Sequence, residues 1–260
     1  MSTIIYPSPI FGPVRSRRLG VSLGVNLMPA DGKVCTFDCV YCECGFNADN
    51  RPTLPRPTRE QVAATLEDKL NEMASGCELP DVITFAGNGE PTAHPRFAEI
   101  VDDTLRLRDQ YCPNAKVSVL SNSTFIHRPE VRAALMKVDN NILKLDTVDP
   151  TYINNVDRPT QKEYNVENVI KYMKEFRGHI IIQTMFMKGT LDNGFSVDNT
   201  CEEYLAQWLE AIRLIAPSEV MIYTIDRETP DHNLQKASRE TLNAIRDRVA
   251  AMGIKCSASY

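Results

Sequence analysis

From Val21 onward the chain alternates short runs of apolar, β-branched residues with longer stretches in which apolar positions recur at three- and four-residue steps. That alternation calls for a parallel sheet with crossover helices. Six strands are predicted, at Gly24–Leu27, Val82–Phe85, Lys116–Leu120, Asn141–Leu145, Ile180–Phe186 and Val220–Tyr223. The helical stretches carry readable starts. Thr58 with Gln61 forms a capping box for a helix through Ala74, Pro95 precedes one through Arg108, and Pro129 opens one through Lys137. Asn165 caps Val166–Phe176, Thr200-Cys-Glu-Glu opens a helix through Ile215, and Ser238 begins the last, which Gly253 ends.

Six β–α units are short of the eight that close a barrel. The expected fold class is therefore α/β, a partial (β/α)6 TIM-like barrel with an open parallel sheet and outer helices. One domain is expected over residues 1–260, with 1–20 as an N-terminal extension. The long segment 28–57 leaves strand one at the sheet end where strand C-termini gather, and chemistry is expected there.

Composition changes this picture little: 43% hydrophobic and 24% charged residues are ordinary for a globular chain. The net charge of −5 argues against a protein held to nucleic acid mainly by phosphate neutralisation. The first fifteen residues lack early positive charge and are cut by prolines at 7, 9 and 13, unlike a signal peptide, and no run approaches the roughly 18 apolar residues of a membrane span. A cytoplasmic location without membrane contact is the expectation. In a reducing compartment eight cysteines serve as ligands, catalytic groups or buried apolar residues rather than as a disulfide framework. Cys77, Cys112, Cys201 and Cys256 are scattered singly and read as structural.

The other four cysteines fall together in VCTFDCVYCECG, residues 34–45. Cys35-x3-Cys39-x2-Cys42 places three thiolates on one short loop, enough to ligate three irons of a [4Fe–4S] cube and leave the fourth open to a small molecule. Two rival readings use Cys44 as a fourth ligand, of a zinc ion or of a closed cluster. Zinc prefers two short cysteine pairs separated by a loop, which this compressed run is not.

The spacing C-x3-C-x-aromatic-C, met by Cys35, Cys39, Tyr41 and Cys42, resembles the signature of the radical S-adenosylmethionine superfamily. That resemblance implies two cofactors, a [4Fe–4S] cluster on Cys35, Cys39 and Cys42 and S-adenosyl-L-methionine on its open iron, with reductive cleavage to a 5′-deoxyadenosyl radical. A second match follows strand two, where Gly87-Asn88-Gly89-Glu90-Pro91 is similar to the superfamily's Gly-Gly-Glu element, which receives the cofactor's ammonium group. Asn88 stands where a glycine is usual. Further cofactor contacts implied by position are Ser121 and Asn122 after strand three, Asp146 after strand four, Gln183 and Met185 on strand five and Tyr223 on strand six. The histidines at 94, 127, 179 and 232 show no spacing that joins any two, and carry no assignment.

The resemblance narrows further. FGPVRSRRLG, LDTVD, NNVDRP and YTIDRETP look like the iron–sulfur oxidoreductases grouped with the wyosine-forming tRNA enzymes. It implies an enzyme whose radical abstracts hydrogen from an unidentified substrate, fed by an external electron donor of the flavodoxin or ferredoxin type. Modification of a tRNA base is the alternative, unsupported by net charge and by the lack of a second cysteine-rich motif. Two readings stand for Arg17, Arg18, Arg158 and Arg227: forks for an anionic substrate at the barrel mouth, or partners of acidic neighbours such as Asp157 and Asp226.

Overall fold

A computed structural model describes residues 3–16, 20–76 and 78–260. Its main sheet has eight strands in the order β1-β2-β3-β4-β5-β6-β8-β10. These are β1 (Ile10–Ser16), β2 (Gly20–Val25), β3 (Val82–Phe85), β4 (Lys116–Ser121), β5 (Asn140–Lys144), β6 (Ile181–Met185), β8 (Glu219–Tyr223) and β10 (Lys255–Ser259). A small antiparallel ribbon pairs β7 (Met187–Gly189) with β9 (Leu234–Lys236). From β2 to β10 every neighbour pair is parallel, and only β1 runs antiparallel. The helices are α1 (Arg59–Ser75), α2 (Phe97–Tyr111), α3 (Pro129–Leu135), a short α4 (Pro150–Tyr152), α5 (Val166–Lys174), α6 (Glu202–Ile215) and α7 (Arg239–Ala251). A π-helical turn, Ile153–Asp157, continues α4.

The six β–α units predicted from periodicity are present, as an open arc with the expected outer helices. Two strands of the main sheet were not predicted, and each has a physical reason. Residues 10–16, expected within an extension, form the edge strand β1. Pro13 lacks a donor for a sheet interior but suits an edge, and a register shift between Phe11 and Val14 absorbs it. The seventh parallel strand, β10, reads Lys-Cys-Ser-Ala-Ser, without an apolar run to announce it. Only Cys256 and Ala258 reach the core; the alternate positions face the other way.

Alternation along the strands decides what lies on each face. Leu23, Val25, Ile83, Phe85, Val119, Leu143, Ile182 and Ile222 point outward and join Leu66, Ile100, Trp208, Ile212 and Ile245 of the helices in one buried core. The inner face is smaller and more polar, with Ser22 and Thr84 hydrogen-bonded at 2.9 Å and Lys144, Gln183, Met221 and Tyr223 farther round. Capping follows the sequence in detail: the Thr58–Gln61 box is closed from both sides, and Asn165 and Ser238 each accept from the backbone N–H three residues on. At α6 the cap position falls on Cys201 rather than Thr200, whose hydroxyl is drawn to Asp198 at 2.6 Å. A second apolar cluster, with Phe37, Val40, Tyr41, Tyr152, Val156, Met185 and Ile225, sits over the strand C-terminal ends. It seats the cysteine loop on the barrel mouth.

Candidate active site

Residues 31–57 form no regular helix or strand, so side chains do the work of a backbone ladder. Asn47 holds the loop from within. Its amide oxygen accepts the Cys35 N–H at 3.3 Å, its amide nitrogen donates to the carbonyls of Cys35 (3.2 Å) and Phe37 (3.1 Å), and its own N–H donates to Asp38 at 2.7 Å. Lys33 lies beneath, its side chain 1% exposed, donating to the Gly45 carbonyl at 2.7 Å and paired with Asp38 at 3.4 Å.

The loop is docked on two sides. On one, Asp38 N–H donates to Asp157 O (2.9 Å) and Val40 N–H to Val156 O (2.9 Å), which fixes it to the π-helical turn. On the other, Val34 N–H donates to Asn88 O (2.9 Å) and Glu90 N–H to Val34 O (3.3 Å). Gly89 makes this second contact possible: φ is +144°, and a β-carbon there would lie 1.8 Å from the Val34 carbonyl oxygen.

Cys35, Cys39, Cys42 and Cys44 are all free thiols. Burial pushes Cys35 up to about 12 and lifts Cys39 as well. Cys42 is instead drawn down to about 6, first by a hydrogen bond from Cys44 and then, against burial, by Lys33. Burial works to lower the Lys33 ammonium, but Cys42, Cys35, Cys39 and Asp38 outweigh it and hold the group above its ordinary value. Soft thiols of this kind suit iron–sulfur chemistry, and coordination deprotonates them outright. Among the described residues no three His, Cys, Asp or Glu side chains gather on the position of a single metal ion. The Cys44 thiol donates to the Gly87 carbonyl at 3.6 Å.

The remaining sequence candidates divide into two nests. Glu90, 1% exposed, accepts from Thr92, from Ser121 Oγ at 2.8 Å and from the Asn122 N–H at 2.6 Å; burial raises its pKa against these bonds. Asn122 also reaches Cys35 Sγ at 3.5 Å. Asn88 is fully buried, and its amide bonds Tyr6 and Pro29, tying the N-terminal segment to the glycine turn. In the second nest Asp146 accepts from the Tyr41 hydroxyl, from Lys144 at 2.7 Å and from the Met185 N–H at 2.9 Å. Gln183, at the middle of β6, pairs in register with Lys144 at the end of β5, and Met185 pairs with Tyr223 at the C-terminal ends of β6 and β8.

Sequence reasoning gave Lys33 and Lys144 no place in the site and took Asp157 only as a neighbour of Arg158. Lys144 bridges Asp146 and Asp157 at 2.5 Å from the latter, with its ammonium 5.4 Å from the Phe37 ring and 5.5 Å from the Tyr41 ring. Burial opposes its charge, yet the two carboxylates hold it well above its ordinary value; burial lifts Asp157 to about 6. Asp157 also meets the Cys39 sulfur at 3.8 Å. The pairing expected from sequence neighbours is not what forms. Arg158 lies 5.3 Å over the Phe46 ring, and Arg227 pairs with Glu43 at 2.6 Å while Asp226 faces Lys236 at 3.9 Å. Arg17, Arg18 and Cys77 lie outside the described residues. Of the other scattered cysteines, Cys112 is buried, Cys256 packs on the core and Cys201 is exposed.

A sequence profile of the radical SAM superfamily matches residues 31–198, the cysteine loop through the strap beyond β7. The chain belongs to the radical SAM superfamily. A UPF0026 protein of Helicobacter pylori is 30% identical over 226 residues, covering 85% of this chain and 67% of that protein, so the chain spans about two thirds of the relative's length. Among solved structures, Streptococcus suis SuiB bound to S-adenosylmethionine superposes with a TM-score of 0.65 at 14% identity, over 91% of this chain and 50% of SuiB. TYW1 with a lysine-pyruvate adduct bound gives 0.59 at 12%, over 88% and 73%. These likenesses place the fold among the partial barrels of radical SAM enzymes. No helix among the described residues is long and apolar enough to cross a membrane.

Proposed function

We propose that this radical SAM protein holds a [4Fe–4S] cluster on Cys35, Cys39 and Cys42 and uses it to start hydrogen abstraction from a substrate. The cluster and S-adenosylmethionine, held there, would supply the radical chemistry: one electron from a flavodoxin- or ferredoxin-type donor would release methionine and give a 5′-deoxyadenosyl radical able to take a hydrogen atom from the substrate. The observation that carries this reading is the placement of the three spaced thiols, with the Lys33 charge among them, on a loop docked over the strand C-termini. That is the end of a β/α barrel where chemistry belongs.

The chain's own residues then have distinct tasks. Glu90, anchored by Ser121 and Asn122, offers a carboxylate beside the loop for the cofactor's ammonium group. Tyr41, Met185 and Tyr223 supply apolar and aromatic surface at the mouth for the adenine. The Cys44 thiol donates its one hydrogen to Gly87 O, which supports an open fourth iron over closure by a fourth thiolate, in a cluster or around zinc. Cys44→Ser should therefore keep its iron and sulfide. With Arg227 neutralised by Glu43, Arg158 on its aromatic platform is the better candidate for an anionic substrate group. Among the described residues nothing in the site favours a tRNA base over a smaller substrate.

The test is anaerobic reconstitution with iron and sulfide, reduction, and assay for 5′-deoxyadenosine from S-adenosylmethionine. Wild type should make the nucleoside and Cys39→Ala should not. Uptake of zinc in place of iron and sulfide, or a cluster that never cleaves S-adenosylmethionine under several reductants, would overturn the reading.

A further inference from the structure

We infer that Asn122 is a hydrogen-bond donor to the ligating sulfur of Cys35, tuning the cluster, and not a contact for S-adenosylmethionine. This rests on the cluster assignment proposed above. The amide nitrogen lies 3.5 Å from Cys35 Sγ and 2.9 Å from Thr36 Oγ1. The amide oxygen accepts the Thr124 N–H at 3.1 Å and the Thr124 hydroxyl at 2.7 Å.

These contacts fix which way the amide points. A backbone N–H can only donate, so the group facing Thr124 is the oxygen and the group facing Cys35 is the NH2. The hydroxyl directions follow. Thr124 donates to the amide oxygen, so Thr36 donates to Thr124 across 2.7 Å, and Thr36 in turn accepts from the amide nitrogen. Asn122, Thr36 and Thr124 thus close a ring of three hydrogen bonds in which each member polarises the next. The second hydrogen of the NH2 is left for the sulfur. Both lone pairs and both hydrogens of the amide are then used, and with the residue 9% exposed no valence remains for a ribose or a carboxylate.

An N–H aimed at a ligating sulfur stabilises the electron density that the thiolate carries in the reduced cluster, so it raises the reduction potential. Two neighbours keep Asn122 in place: its own N–H is held by Glu90 at 2.6 Å, and Thr36 is the residue next to Cys35 in the chain. The link therefore also couples the carboxylate that the resemblance assigns to cofactor binding with the first thiol of the motif.

Asn122→Asp separates the two roles. It keeps the oxygen that Thr124 bonds and replaces the donor facing Cys35 with a second carboxylate oxygen. Iron and sulfide per chain, an EPR-monitored redox titration and S-adenosylmethionine affinity by equilibrium dialysis against the oxidised cluster are compared with wild type. The reduced-to-oxidised ratio at fixed ambient potential should fall roughly tenfold, a midpoint lower by about 59 mV for a one-electron couple. The dissociation constant should stay within about threefold. Asn122→Ala, which removes the donor without adding charge, should lower the midpoint less and in the same direction, and it decides the matter if the aspartate variant does not load. An unchanged midpoint, weakened cofactor affinity, or loss of the cluster from both variants overturns the proposal. A wild-type protein that holds no cluster would instead remove the reading on which the proposal rests.

Discussion

At the scale of single residues, the site depends on two whose part in its geometry is structural, Gly89 and Lys33. Gly89 lets the Val34 backbone of the loop approach the turn, and an added methyl would meet backbone at 1.8 Å with nothing flexible to yield. Gly89→Ala combines that clash with a φ of +144°, and we expect it to cost roughly 2–4 kcal/mol in urea unfolding of the metal-free chain. An unfolding midpoint equal to wild type would mean that the loop can dock without this approach. Lys33 acts through charge rather than space. Lys33→Met keeps its length but removes the cation that faces the three motif cysteines and the donor to Gly45 O. Iron retention in chelator competition should fall roughly 10- to 100-fold, the usual effect of losing a group just behind the ligands. Lys33 does not stand out in the sequence by type, and Gly89 stood out only as part of a motif, not for this close approach. The cysteines did stand out, because their meaning lies in local spacing, whereas Asp157 meets Cys39 across 118 positions and no local pattern can announce that.

Elements set how the site responds to pH. The 3-10 turn Pro91–Ala93 that follows Glu90 ends on His94, whose ring joins the turn to the end of the cysteine segment. Nε2 bonds the Pro57 carbonyl at 2.9 Å while Nδ1 accepts the Arg96 N–H at 3.1 Å, an arrangement that requires the neutral ring. Burial, with the charge of Arg56 nearby, holds His94 below its ordinary value. In the unfolded chain histidine takes its proton near 6.5, so below about that pH the unfolded state binds more protons and stability declines until the folded ring also titrates. Urea midpoints of wild type and His94→Asn at pH 7.5 and 5.5 should show the larger loss in wild type; equal losses would mean the ring is not held neutral. The same turn shows what was legible at this scale. Helices with caps and strands with apolar runs were read within a few residues of their ends, β2 and α2 the least closely, since both signals are local. β1 and β10 were not, because one carries Pro13 at an edge and the other shows the core only Cys256 and Ala258.

For the whole molecule, the question is what closes the mouth of an arc that the sheet itself leaves open. Three segments distant in sequence converge on the cysteine loop. Ile4 N–H donates to Glu43 O at 3.0 Å, Asp231 N–H to Val40 O at 3.3 Å, and the β7–β9 ribbon holds the segment after β8 to the one after β6. Arg227 knots them together, bonding Glu43 at 2.6 Å and the Tyr6 hydroxyl at 3.1 Å. The Arg227 and Glu43 side chains are 51% and 42% exposed, so solvent screens the pair and its loss should cost global stability less than about 1 kcal/mol. Its weight should lie in local opening instead, since loops with few buried contacts open well below the global free energy. In Arg227→Ala, hydrogen exchange at the Ile4 and Asp231 amides should accelerate while amides of β3 and β4 keep their protection. Radical chemistry at the proposed cluster needs water kept away, and a clasp that opens locally without unfolding the barrel would admit and release substrate. Unchanged exchange at both amides would mean that backbone pairing alone keeps the mouth shut, and that the arginine is free for a ligand.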